Sequence, residues 1–305
     1  MASRRSVLLA AAFGLPAAVA GCARPTSSQA MAMAAEPKAP VEIRGAPTTR
    51  SEARGRLAYG PDASQWGEFS VPRTLVSRGV VVIIHGGFWL AEYGAELGTP
   101  LAADLFQRGY ATWNLEYRRI GNGGGWPQTF QDVAAGIDHL RAIAPTAGLD
   151  LQKVVAIGHS AGGQLATWAA GRRTPSIADP HAATRVRLAG VVSQAGVLDL
   201  AGAAREHLGG DATQQLLGGQ PAQVPGRYTM ASPQEMLPNR VPVWCVHSRS
   251  DRNVPYAQSV NYVAAARKVG AVACLDTVPG DHFSLITVGT PAWEATVRRT
   301  VELLR

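Results

Sequence analysis

Residues Gly158-His159-Ser160-Ala161-Gly162 set a serine between two glycines in the pattern G-x-S-x-G. The apolar run Val154-Val155-Ala156-Ile157 leads into it, and a helical pattern starts just after Ser160. A serine on a tight strand-to-helix turn stands clear of the sheet, and small flanking residues leave room for the turn. Such a serine can attack an acyl carbonyl if a base takes its proton and N–H donors meet the oxyanion. The pattern alone recurs by chance, so the strand before it and the helix after it carry the inference. The N–H of Ala161 is one expected oxyanion donor, because it opens a helix whose N-terminus favours negative charge. A second should come from His85-Gly86-Gly87-Phe88-Trp89, a loop that follows another apolar run. Gly87 and Phe88 are the expected donors there, with Gly86 not separable from them by sequence. Phe88 and Trp89 are expected to wall the substrate pocket.

Where a serine sits on such a turn, the acid and then the histidine follow it in the chain. Downstream of Asp251 the only histidine is His282, in Pro279-Gly280-Asp281-His282-Phe283, and it is the expected base. Asp251, in Ser248-Arg249-Ser250-Asp251-Arg252, is the expected acid, each of the two lying in a loop after an apolar run. Asp199 is the serious competitor, since it too follows a strand; Asp276 is another rival, and Asp281 is too close to His282 to orient its ring. His85, His159 and His247 are expected to pack or hydrogen-bond beside these loops. No metal is expected, because no His, Cys and Glu cluster has ligand spacing.

The elements that must position these residues show in the apolar pattern. Strand-like runs occur at Val80–Ile84, Ala111–Leu115, Val154–Ile157, Leu188–Val192, Val241–Val246 and Val272–Leu275, with helix-period stretches at Leu101–Arg108, Phe130–Ile143, Gly162–Gly171, Val260–Val269 and Trp293–Leu304. Strands alternating with helices predict an α/β fold: a mainly parallel sheet flanked by helices on both faces, preceded by an antiparallel hairpin over Arg56–Val71. Residues 196–240 break the rhythm with glycines and prolines and are expected to form a lid or cap insertion. One catalytic domain over 53–305 follows from this pattern.

Ahead of it, Arg4-Arg5 precedes an apolar run that ends Val19-Ala20-Gly21-Cys22. The run is too short to span a membrane comfortably and has the form of an export signal over 1–22. The arginine pair resembles a twin-arginine signal, and the small residues before Cys22 resemble a lipobox, so Cys22 is the expected lipidation site and the membrane the expected partner through that anchor. Residues 23–52, rich in Ala, Pro, Ser and Thr, read as a flexible tether. The net charge of +7 is carried almost wholly by scattered arginines, with no basic run and no interleaved aromatics, which argues against nucleic-acid binding. Cys245 and Cys274 fall in buried strand runs and are expected to be packed free thiols, although export would permit a disulfide.

Taken together, the chain resembles the α/β-hydrolases of the hormone-sensitive-lipase, feruloyl-esterase (BD-FAE) and kynurenine-formamidase branch. The resemblance spans roughly residues 75–290 and rests on His85-Gly86-Gly87-Phe88-Trp89, Glu116-Tyr117-Arg118, Gly158–Gly163 and the Asp251 and His282 loops. His-Gly-Gly-x-Trp is nearer the formamidase and bacterial-esterase form than the lipase form. Arg118 and Asp132 are expected to be a structural pair tying a strand to the next helix. The resemblance implies a serine hydrolase of the carboxylesterase type that needs no cofactor, and Phe88 and Trp89 beside the oxyanion loop, with the 196–240 insertion over them, add the expectation of short-chain acyl esters. An arylformamidase is the alternative, disfavoured by the export signal. A non-catalytic hydrolase-fold binding protein is disfavoured by the intact Ser160, Asp251 and His282 set.

Overall fold

A computed structural model describes residues 53–75, 77–172 and 186–305. The expected signal over 1–22 with Cys22, and the tether over 23–52, lie outside the described residues. Eight strands form one sheet: β1 (Ala53–Ala58), β2 (Trp66–Val71), β3 (Val80–Ile84), β4 (Ala111–Leu115), β5 (Val154–His159), β6 (Gly190–Gln194), β7 (Val243–Ser248) and β8 (Ala273–Val278). Their order is β1-β2-β4-β3-β5-β6-β7-β8. β2 runs antiparallel to both β1 and β4, and the other pairs are parallel.

Every residue of β3, β4, β5 and β6 is buried, which is why their sequences are mostly apolar or small rather than alternating, with Asn114, His159 and Gln194 the large polar exceptions. The alternation reappears in what each side chain touches. Val80, Val82 and Ile84 join one core, with Phe130 of α2 (Gln128–Asp138), Trp168 of α4 (Ala161–Gly171) and Tyr262 of α8 (Ala257–Lys268). Val81 and Ile83 join the core on the other face, with Leu101 and Leu105 of α1 (Thr99–Gln107) and Trp293 and Val297 of α9 (Pro291–Leu304). The sheet is thus covered on both sides, and its carboxyl edge carries the loops that hold the expected site residues. The single helix expected over Phe130–Ile143 divides at His139 into α2 and α3 (Leu140–Ala147).

The glycine- and proline-rich segment 196–240 holds more order than its sequence suggests. It contains α5 (Leu200–Arg205), α6 (Ala212–Leu217) and α7 (Pro225–Ala231), each too short to show a helical period. Leu200, Ala203, Leu216, Leu217 and Tyr228 are buried in the same core as Trp168. Backbone groups fasten it further: Trp126 N–H donates to Leu216 O at 2.7 Å, Gln164 Nε2 to Ala231 O at 2.9 Å, and Trp168 Nε1 to Met230 O at 3.0 Å.

Cys245 is the expected buried free thiol, its pKa pushed up to about 12 by burial, whereas Cys274 departs from that expectation: it is disulfide-bonded, though not to Cys245. The register explains this: Cys245 faces Leu275 and Cys274 faces Trp244, so the two sulfurs leave opposite faces of the sheet. Among the described residues, no helix is long and apolar enough to cross a membrane.

Candidate active site

Ser160 occupies the turn between β5 and α4 with φ +55° and ψ −119°, a conformation that non-glycine residues adopt only under constraint. Its N–H donates to Gln194 O at 2.8 Å, and its carbonyl accepts from Gln164 N–H at 3.1 Å. The flanking glycines are required by packing. A Cβ on Gly158 would overlap the Gly162 carbonyl, and a Cβ on Gly162 would overlap the Ile84 and His85 carbonyls. At Gly86 a Cβ would lie 2.7 Å from His159 O and 3.1 Å from Ser160 Cβ, so the loop after β3 touches the serine turn.

That loop holds three successive residues at positive φ: Gly87 (+102°), Phe88 (+49°) and Trp89 (+57°). Two of them carry side chains, so the conformation is held by what surrounds it. Tyr117 OH donates to His85 O at 2.8 Å, and the two rings stack with centroids 4.4 Å apart. His85 Nε2 lies 3.1 Å from Glu116 Oε1, and Glu116 also takes Arg119 Nη1, Tyr117 N–H and Ala95 N–H. Burial pushes the Glu116 carboxyl up, but the His85 contact, Arg119 and the Tyr117 N–H together outweigh it and bring it down to about 2. His85 therefore braces its loop, as expected. Of the two residues expected to wall the pocket, Phe88 is half-buried against Gly209 of the 196–240 segment. Trp89 departs from that expectation: it is fully buried, and its indole N–H donates to Gln164 Oε1 at 3.1 Å. A large ring with an N–H to satisfy is better placed in the core, where it pins the loop to α4. Among the described residues, the N–H groups of Gly87, Phe88 and Ala161 donate to no acceptor in the protein.

Asp251 lies three residues past β7, its side chain wholly buried. Oδ1 accepts the N–H groups of Asn253 at 2.8 Å and Val254 at 2.9 Å. Oδ2 receives His282 Nδ1 at 2.7 Å, and His247 Nε2, bonded to Val254 O at 3.1 Å, lies 3.2 Å from it. Burial pushes this carboxyl up, yet the His247 and His282 hydrogen bonds and the Val254 N–H hold it well below the usual carboxylate range. An ionised carboxylate only accepts, so the His282 proton sits on Nδ1 and Nε2 is left with its lone pair. Among the described residues, Ser160 Oγ makes no hydrogen bond, so its contact with this lone pair is not made in the resting arrangement.

The rival acids have other partners. Asp199 caps α5, accepting Gly202 N–H at 2.9 Å. Asp276 is engaged by Arg299, and Asp281 accepts from Ser284 in an exposed turn. Arg118 and Asp132 form the expected pair, with Nε to Oδ2 and Nη2 to Oδ1 both at 2.7 Å. Two features are not legible in the sequence: His247 beside the Asp251 carboxylate, and Arg119 as the partner of Glu116. Only the position of His247 near the end of β7, four residues before Asp251, hints at the first. Among the described residues, no cluster of His, Cys, Asp and Glu could hold a metal ion.

The BD-FAE family profile matches residues 71–265. No curated protein sequence matches the chain significantly. Among solved structures, a truncated carbohydrate esterase from gut microbiota superposes with a TM-score of 0.67 at 21% identity, covering 84% of this chain and 97% of that one. Esterase 2 of Thermogutta terrifontis, phosphonylated by sarin, gives 0.67 at 21% identity over 82% and 94%. Esterase B of Lactobacillus rhamnosis, inhibited by a tributyrin phosphonate, gives 0.68 at 20% identity over 86% and 88%. At these identities the superpositions speak for the fold.

Proposed function

The chain belongs to the BD-FAE family of esterase-type α/β-hydrolases, and from that premise we propose that it cleaves short-chain carboxylic esters with Ser160 as nucleophile, His282 as base and Asp251 as the acid that orients it. The observation that carries this reading is the 2.7 Å hydrogen bond from His282 Nδ1 to the buried Asp251 carboxylate, which leaves Nε2 as the base. In the proposed cycle, Ser160 Oγ attacks the ester carbonyl as His282 Nε2 takes its proton. The N–H groups of Ala161 and of Gly87 or Phe88 receive the oxyanion. Collapse expels the alcohol, which carries off the proton from His282 and leaves the acyl group on Ser160. A water then attacks, giving its proton to His282, and the second collapse returns that proton to Ser160 and frees the acid. Asp251 stays ionised throughout. The Ser160–His282 contact closes on substrate arrival, as catalytic hydrogen bonds do when loose in the resting enzyme.

The short-chain preference is inferred from Phe88, whose ring, on the loop after β3, lies against Gly209 of the 196–240 segment. In keeping with it, the Thermogutta esterase has been solved with butyrate bound. The test is kcat/KM for p-nitrophenyl acetate, butyrate and palmitate beside N-formyl-kynurenine, with Ser160→Ala as the blank. Acetate and butyrate should lead and a phosphonate probe should label Ser160. A formamide preference of about a hundredfold, roughly 2.7 kcal/mol, would overturn the ester reading. We further propose that Cys22 carries a lipid anchor holding the enzyme on the outer face of the membrane, a reading that rests on the Arg4-Arg5 and Val19–Cys22 sequence.

A further inference from the structure

The loop that carries His282 is gripped from beneath by the ends of three adjacent strands. His159, the last residue of β5, places Nε2 3.0 Å from the His282 carbonyl oxygen. Gln194, the last of β6, donates Nε2 to the Leu285 carbonyl at 2.6 Å. Ser248, the last of β7, donates Oγ to the Gly280 carbonyl. We propose that His159, Gln194 and Ser248 are positioning residues for the His282 imidazole, a clasp that sets where Nε2 stands relative to Ser160.

Two of the three hold both partners of the proton transfer. His159 adjoins Ser160 in the chain, and the Gln194 carbonyl accepts the Ser160 N–H at 2.8 Å. The turn bearing the nucleophile and the loop bearing the base are thus joined through His159 and Gln194, with Ser248 tying in the Asp251 loop. All three side chains are buried, so water does not compete for the carbonyls they hold. The outer side of the loop has only local support: Asp281 and Ser284 bond each other in an exposed turn, and Phe283 is 56% exposed. The His159 grip does not depend on ordinary changes of pH. Burial, with the neighbouring His282 second, drives His159 down to about 3, so its ring is neutral, and the carbonyl it faces can only accept, which puts its proton on Nε2.

The clasp rests on the reading of His282 as the base, and its test separates the two. Gln194→Met removes the donor and keeps the bulk, while Thr296→Val removes the other partner of the same amide, 3.0 Å away, and leaves the Leu285 carbonyl gripped. Ser248→Ala removes the second donor and Ser248→Thr retains it. With p-nitrophenyl butyrate, Gln194→Met and Ser248→Ala should each lower kcat about tenfold with KM nearly unchanged, the scale of a small displacement of a reacting group. Both should also broaden the downfield proton resonance of the His282–Asp251 hydrogen bond. Thr296→Val and Ser248→Thr should keep kcat within about threefold of the parent. Folded Gln194→Met and Ser248→Ala proteins with parental kcat and an unchanged resonance would overturn the clasp, as would an equal loss in Thr296→Val. Should Gln194→Met not fold, the Ser248 pair decides alone. Turnover surviving in Ser160→Ala would instead refute the underlying triad.

Discussion

Asp251→Asn is the most revealing single substitution, because the socket around this side chain dictates how an amide would sit. One oxygen faces two backbone N–H donors, those of Asn253 and Val254, and the other faces the His282 and His247 rings. An asparagine has one acceptor oxygen and one NH2 group. Its oxygen must take the backbone side, since turning the NH2 there would set three donors against each other in a buried place. The NH2 then points at His282, and the ring can meet it only by moving its proton from Nδ1 to Nε2. In that tautomer Nε2 has no lone pair for the Ser160 proton. The geometry survives and the base is lost, so kcat should fall about 10^4-fold, roughly 5 kcal/mol of transition-state stabilisation. The assay is kcat and KM with p-nitrophenyl butyrate against the Ser160→Ala background, with a melting curve to show that the fold is intact. A folded Asp251→Asn protein retaining a tenth of parental kcat would refute the tautomer argument. Greater damage from Asp199→Asn, whose aspartate caps α5, would move the acid elsewhere.

Three further outcomes are expected. Gly86→Ala places a methyl against His159 O and the Ser160 Cβ, and should lower kcat about a hundredfold by parting the oxyanion loop from the nucleophile, as steady-state kinetics would show. Glu116 titrates lower in the folded chain, at about 2 against an ordinary value of 4.5, so its stabilisation is whole above about 4.5 and drains as pH falls through about 2. Glu116→Gln should therefore melt lower than the parent at neutral pH, by a margin on the order of 3 kcal/mol at most, and that margin should close in acid melting curves. Cys22→Ser should release the protein from the membrane fraction of its host or leave it unprocessed, and membrane retention of the mature-sized variant would refute the anchor.

Much of this protein can be read along the chain because the relevant physics is local. A strand buried on both faces has to be mostly apolar, so Val80–Ile84 and the runs after it announce a covered parallel sheet. Gly158 and Gly162 are legible for a similar reason, since the turn they flank leaves no room for a Cβ. His282 follows from chain order and elimination, and the Arg118–Asp132 pair from the short span between a strand and the next helix. Tertiary structure decided the rest, where the deciding partner is distant in sequence. Asp251 and Asp199 both follow strands, and only the folded chain shows that one meets His282 while the other closes a helix end. Neighbouring residues of paired strands face opposite ways, so two cysteines in adjacent strands stay apart because of a register offset that composition does not reveal. Trp89 ends the loop after β3 but belongs to the core, because its indole N–H finds Gln164 on a helix 75 residues away. The helices of 196–240 are too short to carry a period and owe their order to the apolar surface they cover.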